Sequence, residues 1–471
     1  MQDNPVDELF EEIATYAHQC SEIEESVLRT AYWALLDSLG CALLGSLDKS
    51  CSALLGPYIP DTQVPKGVRV PGTRFKLDPI KAAFDIATCV RWFDFNDTWL
   101  AVEWGHPSDN LGAILATADY CGQRAPGITL KHVLHALIKA YEIQGILSLE
   151  HSFNKRGWDH VFLVRVASIA AIAPFVGLSK EQTMAALSHA WIDGPNLRVY
   201  RHAPNTGTRK SWAAADATSR AVQLAWLVKQ GEMGYNTALS AVQWGFFDAF
   251  WDGLPINLPR PLGTYVMPNI LFKVAYPAEF HGQTAVECAL ELHPWVKEHY
   301  NDIKKIVLYS QAPALKIIHK VGSLHNFADR DHCLEYMVAV ALLKGNLEAI
   351  DYSDESAKDE RIHSLRAKMV VMEDTSFTEA YYDAERRAIA NSIQIFLNNG
   401  QSLPLVTRWY PLGHRTRRTE AEPLLKAKFY KNVQNCFSGV QQETLCHLWD
   451  GGFENLSMPL SDFMGHWVKD H

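Results

Sequence analysis

The sequence predicts a mainly α protein in which a large helical domain is interrupted by a smaller α+β domain. Three observations predict this. Apolar residues recur at helical spacing through the first 260 residues, a proline-rich stretch breaks the pattern near residue 255, and β-like runs follow before the chain turns helical again after about residue 403. The boundaries are drawn at 1–267 and 403–471 for the all-helical domain and 268–402 for the α+β domain inserted into it.

The elements follow in chain order. Ser21-x-x-Glu24 reads as a capping box, and Val27, Tyr32, Leu35, Leu36, Leu39 and Leu43 behind it form a buried stripe. Thr129 opens a second helix with Leu130, Val133, Leu134, Leu137, Ile138 and Tyr141 on one face. Ser179-x-x-Gln182 caps a third. Segment 161–176 carries only Arg165 as a charge and is apolar nearly all round, so it belongs at the centre of a bundle. An Ala-rich helix is expected over 212–230. LPINLPRPLG then reads as a linker or wrapped loop. Strands are expected at 304–310, 367–374 and 391–397, with helices at 282–293 and 331–345 between them and at 420–435 and 439–449 after them.

The chain has 471 residues, 48% apolar and 21% charged, enough to bury a large core without disulfides or a structural metal. With 44 basic against 53 acidic residues the net charge is -9, so no nucleic-acid partner is expected. The one basic run, Arg415–Arg418, reads as a solvated loop or a dimer-contact patch. The acidic amino-terminal stretch reads as neither a signal nor a transit peptide, and no run of apolar residues long and uncharged enough to span a membrane is read; a cytoplasmic location and no membrane partner are expected. Nine scattered cysteines, none spaced C-x-x-C, argue against zinc ribbons, iron–sulfur clusters and a disulfide framework.

Chemistry-bearing residues gather in five places. The run from Arg91 to Asn110 mixes acids, amides, hydroxyls, His106 and three tryptophans, which is poor core material unless each polar group finds a partner. Within it, Ser108 or Asp109 reads as a helix N-cap whose free N–H groups would face an anion; a tight capping loop is the plainer alternative. Lys155–His160 precedes the apolar central helix and would set His160 at the mouth of the bundle. Arg198–Trp212 carries four cations and His202, but Arg209 stands where a phosphate loop needs glycine. The other two are Phe272–His281 and His325–Tyr336. Each alone reads equally well as a loop; together they place cations, imidazoles and carboxylates beside long apolar helices from both domains, where a small-ligand cleft forms.

The segments RWFDFNDTWLAVEWGHPSDNLGAILATADY, NTGTRKSWAAADATSRAVQLA, FKVAYPAEFHGQTAVECA and RDHCLEYMVAVALL resemble the MmgE/PrpD family, and the resemblance runs over essentially the whole chain. It implies a large all-helical domain with an inserted smaller α+β lid domain, in a homodimer. It implies elimination of water from 2-methylcitrate to give 2-methyl-cis-aconitate in propionate catabolism, with no cofactor and no metal. The family also holds cis-aconitate decarboxylases, and the alternative is such a decarboxylase or a general citrate/aconitate (de)hydratase of the same family, with side activity on citrate or cis-aconitate also expected. The family's active-site positions correspond to Asp94, Thr98, His106, His160, Lys210, Lys273 and Tyr336 here.

Chemistry gives these positions roles. The proton removed lies next to a carboxylate, so the developing negative charge needs cations beside it. Lys210, Lys273, Arg201 and Arg209 are available, with Thr98 and Ser108 to hydrogen-bond carboxylates. His106 or His160 is the expected base, and the other, or Tyr336, protonates the departing hydroxyl while Asp94 orients one of them.

Overall fold

The computed structural model describes residues 6–202 and 204–469. The chain is mainly α. The central helix runs Val161–Val176 and ends at Gly177, whose φ of 71° is left-handed backbone that suits glycine. It is apolar on every side because helices pack against every side: Leu111–Gly122, Leu130–Leu147, Lys180–Ile192 and Arg209–Lys229.

Two of the expected helix starts form as read. Ser179 and Gln182 exchange hydrogen bonds, side chain to backbone, at 3.2 and 3.0 Å. At Thr129 the backbone N–H donates to Nδ1 of His132 at 3.1 Å. Ser21–Glu24 does not form a capping box: the helix begins at Glu25, and Glu24 precedes it without a side-chain cap. Residues 21–24 are exposed or half-buried, and burial supports the helix only from Val27 onward. By length and composition Glu25–Ser46 is apolar enough to cross a membrane, yet 78% of that window is buried inside the fold, as in a core helix.

The expected strands appear as Ile303–Ser310, Met369–Glu373 and Asn391–Leu397. The first lies between the other two, parallel to Met369–Glu373 and antiparallel to Asn391–Leu397. A fourth strand, Val406–Arg408, adds antiparallel to Asn391–Leu397, and Val68–Arg69 pairs with Lys76–Leu77. These pieces of two or three residues are too short to carry a pattern of their own and are set by their partners. Ile306, Leu308, Ile393 and Ile395 face helices Gln283–His299 and Leu334–Lys344 in a second hydrophobic core, separate from the large helical one.

The chain passes from the first core to the second between Val274 and Tyr276, and the segment before it is tied to the first. Thr98 and Leu271 exchange backbone hydrogen bonds at 2.8 Å, and Phe272 N–H donates to Gly413 O at 3.1 Å. Position 413 must be glycine, because a Cβ there would stand 1.6 Å from the Phe272 carbonyl oxygen. The basic run is half-buried and its arginines are engaged, which corrects its reading as a solvated loop. Arg418 donates to the carbonyls of Pro268 and Ile270, Arg415 to Asn269, and Arg417 to Glu287 at 2.8 Å. It staples the segment that carries Lys273.

Candidate active site

Five of the ten candidate residues line one narrow cavity between the cores: Asp94, Thr98, His106, His160 and Arg201. Larger grooves, one beside Arg29 and Trp449 and one beside Lys428 and Ile350, carry no histidine.

Asp94 stands just after the Pro79–Arg91 helix with φ at 52°, a conformation that aspartate tolerates at a cost and that a tight functional turn retains. Its carboxylate is gripped by Arg91 and, at 2.9 Å, by Lys273. Burial alone would raise this carboxyl; Arg91, Lys273 and His106 outweigh it and hold it well below the usual carboxylate range. His106 is locked. Nδ1 lies 2.7 Å from the Asp97 carbonyl oxygen, so it carries the proton, and Arg91 donates to Nε2 at 2.8 Å. Burial, then Arg91, keeps this imidazole neutral. Thr98 sits beside it at 3.3 Å.

Asp159 forms a second centre. Arg201 grips its carboxylate through Nε and, at 3.2 Å, Nη2. His160 heads the Val161–Val176 helix with its ring 5.9 Å from that of His106. Its Nδ1 is 3.2 Å from Asp159, but neither ring nitrogen makes a hydrogen bond among the described residues, because the carboxylate lies off the ring's donor direction. Burial, with Arg201 and Arg198 assisting, lowers its pKa to about 3 against the pull of Asp159. His160 is thus buried within the cavity wall rather than at the mouth of the bundle.

Two candidate lysines stand one contact behind the cavity. Lys210, in the first turn of Arg209–Lys229, donates to both carboxylate oxygens of Asp331 at 2.6 and 2.9 Å. Asp331 in turn meets Nδ1 of His332 at 2.8 Å, and His332 lines the cavity. Lys273 is fully buried on Asp94, and Lys428 holds its backbone carbonyl at 2.8 Å. Burial lowers both lysines, opposed by their aspartates.

Three candidates lie elsewhere. The Ser108 hydroxyl donates to Asp97 at 2.6 Å, and the Asp97 carboxylate also takes the Ser108 N–H at 3.2 Å. The anion that meets this turn is therefore the protein's own Asp97, and the residue at the N-cap is His106, not Ser108 or Asp109. Arg209 points outward, stacked 4.3 Å from the Trp212 ring and paired with Asp216. The Tyr336 hydroxyl donates to the Asp351 carbonyl at 2.6 Å inside the second core.

Arg91, Arg198, Glu279, His281 and His332 also line the cavity and were within the five chemistry-bearing runs without being singled out. His281 is held between Glu279 at 2.8 Å and the Tyr381 hydroxyl at 3.1 Å. The signal that could have found them is the recurrence of His and Arg in each run. Among the described residues, no three His, Cys, Asp or Glu side chains converge as a metal site requires.

Five cations, Arg91, Arg198, Arg201, Lys210 and Lys273, stand among four carboxylates, those of Asp94, Asp159, Asp331 and Glu279, and Asp109 lies 3.8 Å from Arg91. Buried cations beside imidazoles that burial keeps neutral are groups suited to proton transfer on a small anionic ligand. The pattern of the MmgE/PrpD N-terminal domain matches residues 11–259, and that of the MmgE/PrpD C-terminal domain matches residues 276–448. The chain belongs to the MmgE/PrpD family. It is 50% identical over 447 residues to a 2-methylcitrate dehydratase of Escherichia coli strain K12, covering 93% of this chain and 92% of that one. It is 52% identical over 425 residues to a 2-methylcitrate dehydratase of Cupriavidus necator, covering 88% of each. Against a mitochondrial 2-methylcitrate dehydratase of Yarrowia lipolytica the identity is 47% over 472 residues, 98% of this chain and 90% of that one.

Proposed function

We propose that this chain is a hydro-lyase that removes water from 2-methylcitrate to give 2-methyl-cis-aconitate, in the methylcitrate route of propionate catabolism. The observation that carries the reading is the cavity's set of buried cations beside neutral imidazoles, in a chain half identical to relatives named for that activity. His160 takes or delivers the proton, since its ring nitrogens are open; His106 is fixed by Arg91 and Asp97 and presents Asp94 and Thr98 in register. Lys210 holds Asp331 and stands 3.3 Å from Nδ1 of His332, whose Nε2 has no hydrogen-bond partner among the described residues and makes it the second imidazole able to exchange a proton.

In this reading residues 268–402 form a lid inserted into the helical domain of 1–267 and 403–471. Glu279, His281 and His332 arrive from it, and the tight cavity is its closed state. A homodimer belongs to the same reading. A cytoplasmic location belongs to the same reading and is supported by the scattered spacing of the nine cysteines, none C-x-x-C.

The test is proton NMR of the purified protein with 2-methylcitrate diastereomers, citrate and cis-aconitate, with and without a chelator. Formation of 2-methyl-cis-aconitate, undiminished by the chelator, is expected. Release of carbon dioxide from cis-aconitate with no turnover of 2-methylcitrate overturns the reading in favour of a decarboxylase.

A further inference from the structure

Each buried cation of the site but one is already engaged. Arg91 and Lys273 hold Asp94, Arg201 holds Asp159, and Lys210 holds Asp331. Arg198 lines the same cavity, is 4% exposed, and makes no ion pair among the described residues. Its Nε and Nη1 have no hydrogen-bond partner there. A guanidinium taken out of water with its donors unmet is expensive, and such a group in a native fold calls for an explanation.

The backbone at Arg198 is not loose. Its N–H donates to Gly157 O at 3.0 Å, its carbonyl accepts from Arg201 N–H at 3.0 Å, and Leu197 bridges to Trp158. The guanidinium carbon lies 5.3 Å from the Trp104 ring, which also lines the cavity, so the fork is braced by a π face without that face using its N–H groups. A fixed arginine with two open donors is suited to bidentate binding of a carboxylate.

We infer that Arg198 is the anchor for one carboxylate of the substrate, a role distinct from the positioning roles of Lys210 and Lys273. The inference rests on the proposed reading that the ligand is a tricarboxylate. Lys210 and Lys273 are spent on aspartates; Arg198 is the cation that a ligand can complete.

The experiment compares wild type, Arg198→Gln and Arg198→Lys. Turnover of 2-methylcitrate is measured alongside calorimetric binding of propane-1,2,3-tricarboxylate and pentanedioate, which differ by one carboxylate. For Arg198→Gln, KM is expected to rise by roughly 10- to 100-fold with a smaller change in kcat, the scale of a lost charge-assisted hydrogen bond. The wild type's preference for the tricarboxylate is expected to shrink to within about threefold, with Arg198→Lys, which keeps the charge and loses the fork, in between. An unchanged preference and an unchanged KM in an active, folded variant overturn the inference. Should the Gln variant not fold, Arg198→Lys carries the test alone: wild-type preference and KM in it overturn the inference. A wild type that binds tricarboxylates but turns none over, with the preference lost on mutation, supports the anchor while refuting the dehydratase reading.

Discussion

The centres at Asp94 and Asp159 are alike in composition and unlike in completion. Each is a buried carboxylate with an arginine clasped to it, a histidine alongside and a second cation near. At Asp94 the pairing is nearly complete: both cations touch the carboxylate, both ring nitrogens of His106 have partners, and of these groups Arg91 Nε alone lacks one among the described residues. At Asp159 only Arg201 is paired, while His160 and part of the Arg198 fork have no partner among the described residues. Satisfied polar networks hold a fold in one arrangement; open groups held in place beside them are what a ligand can use. The Asp94 centre is thus the frame, and the Asp159 centre is where chemistry has room.

The sharpest way to break this comparison is Asp94→Asn. It leaves Arg91 and Lys273 buried without their counter-charge, and removal of one partner from such a cluster costs about 3–5 kcal/mol. A large fall in Tm together with loss of activity is expected by calorimetry and turnover. A variant as stable as wild type would show that Asp94 is not the frame.

The two histidines sharpen it further. His160→Gln is expected to lower kcat by about 10²–10⁴-fold, the range for a lost proton-transfer group, with little change in Tm at neutral pH. His106→Gln is expected to lower Tm as well, because it removes the acceptor of Arg91 and the donor to Asp97. The pH dependence separates them again. His160 has a folded pKa lowered to about 3 against about 6.5 when unfolded. Between those values the unfolded state binds the proton and the folded state does not. Its contribution to stability is therefore full above about 6.5 and is lost as pH falls toward 3, with a slope of up to about 1.4 kcal/mol per pH unit. His160→Gln should flatten the acid-side fall of Tm; an unchanged slope would mean that the imidazole is not held neutral.

Much of this frame was legible in the sequence. The Val161–Val176 helix was, because a segment apolar on all sides admits one environment. Asp94, Thr98 and His106 came from the family resemblance; what the residues alone said is that so many polar groups in twenty residues need partners, and the nearest are each other. What was not legible is which cations are spent. Lys210 reads as a free clamp until Asp331, 121 residues away, is seen on its ammonium group. Arg198 reads as one charge in a basic turn until its neighbours prove to be paired with others. Ser21 and Glu24 failed for a different reason: local capping chemistry was present, but no buried face began there to support the turn.

Tyr336 separates the two cores most cleanly, and its effect is the smallest. A proton donor to a departing hydroxyl must reach the cavity, whereas this hydroxyl is bound to the Asp351 carbonyl at 2.6 Å, its ring is packed 6.1 Å from Tyr352, and burial pushes it up to about 12. Tyr336→Phe deletes one hydrogen bond and leaves the ring. A loss of about 1 kcal/mol in stability with kcat within about threefold of wild type is expected. A fall of 10²-fold or more in kcat at unchanged Tm would mean that the second core rearranges during turnover to bring this hydroxyl into the site, and the frame would then extend beyond Asp94 into the sheet region itself.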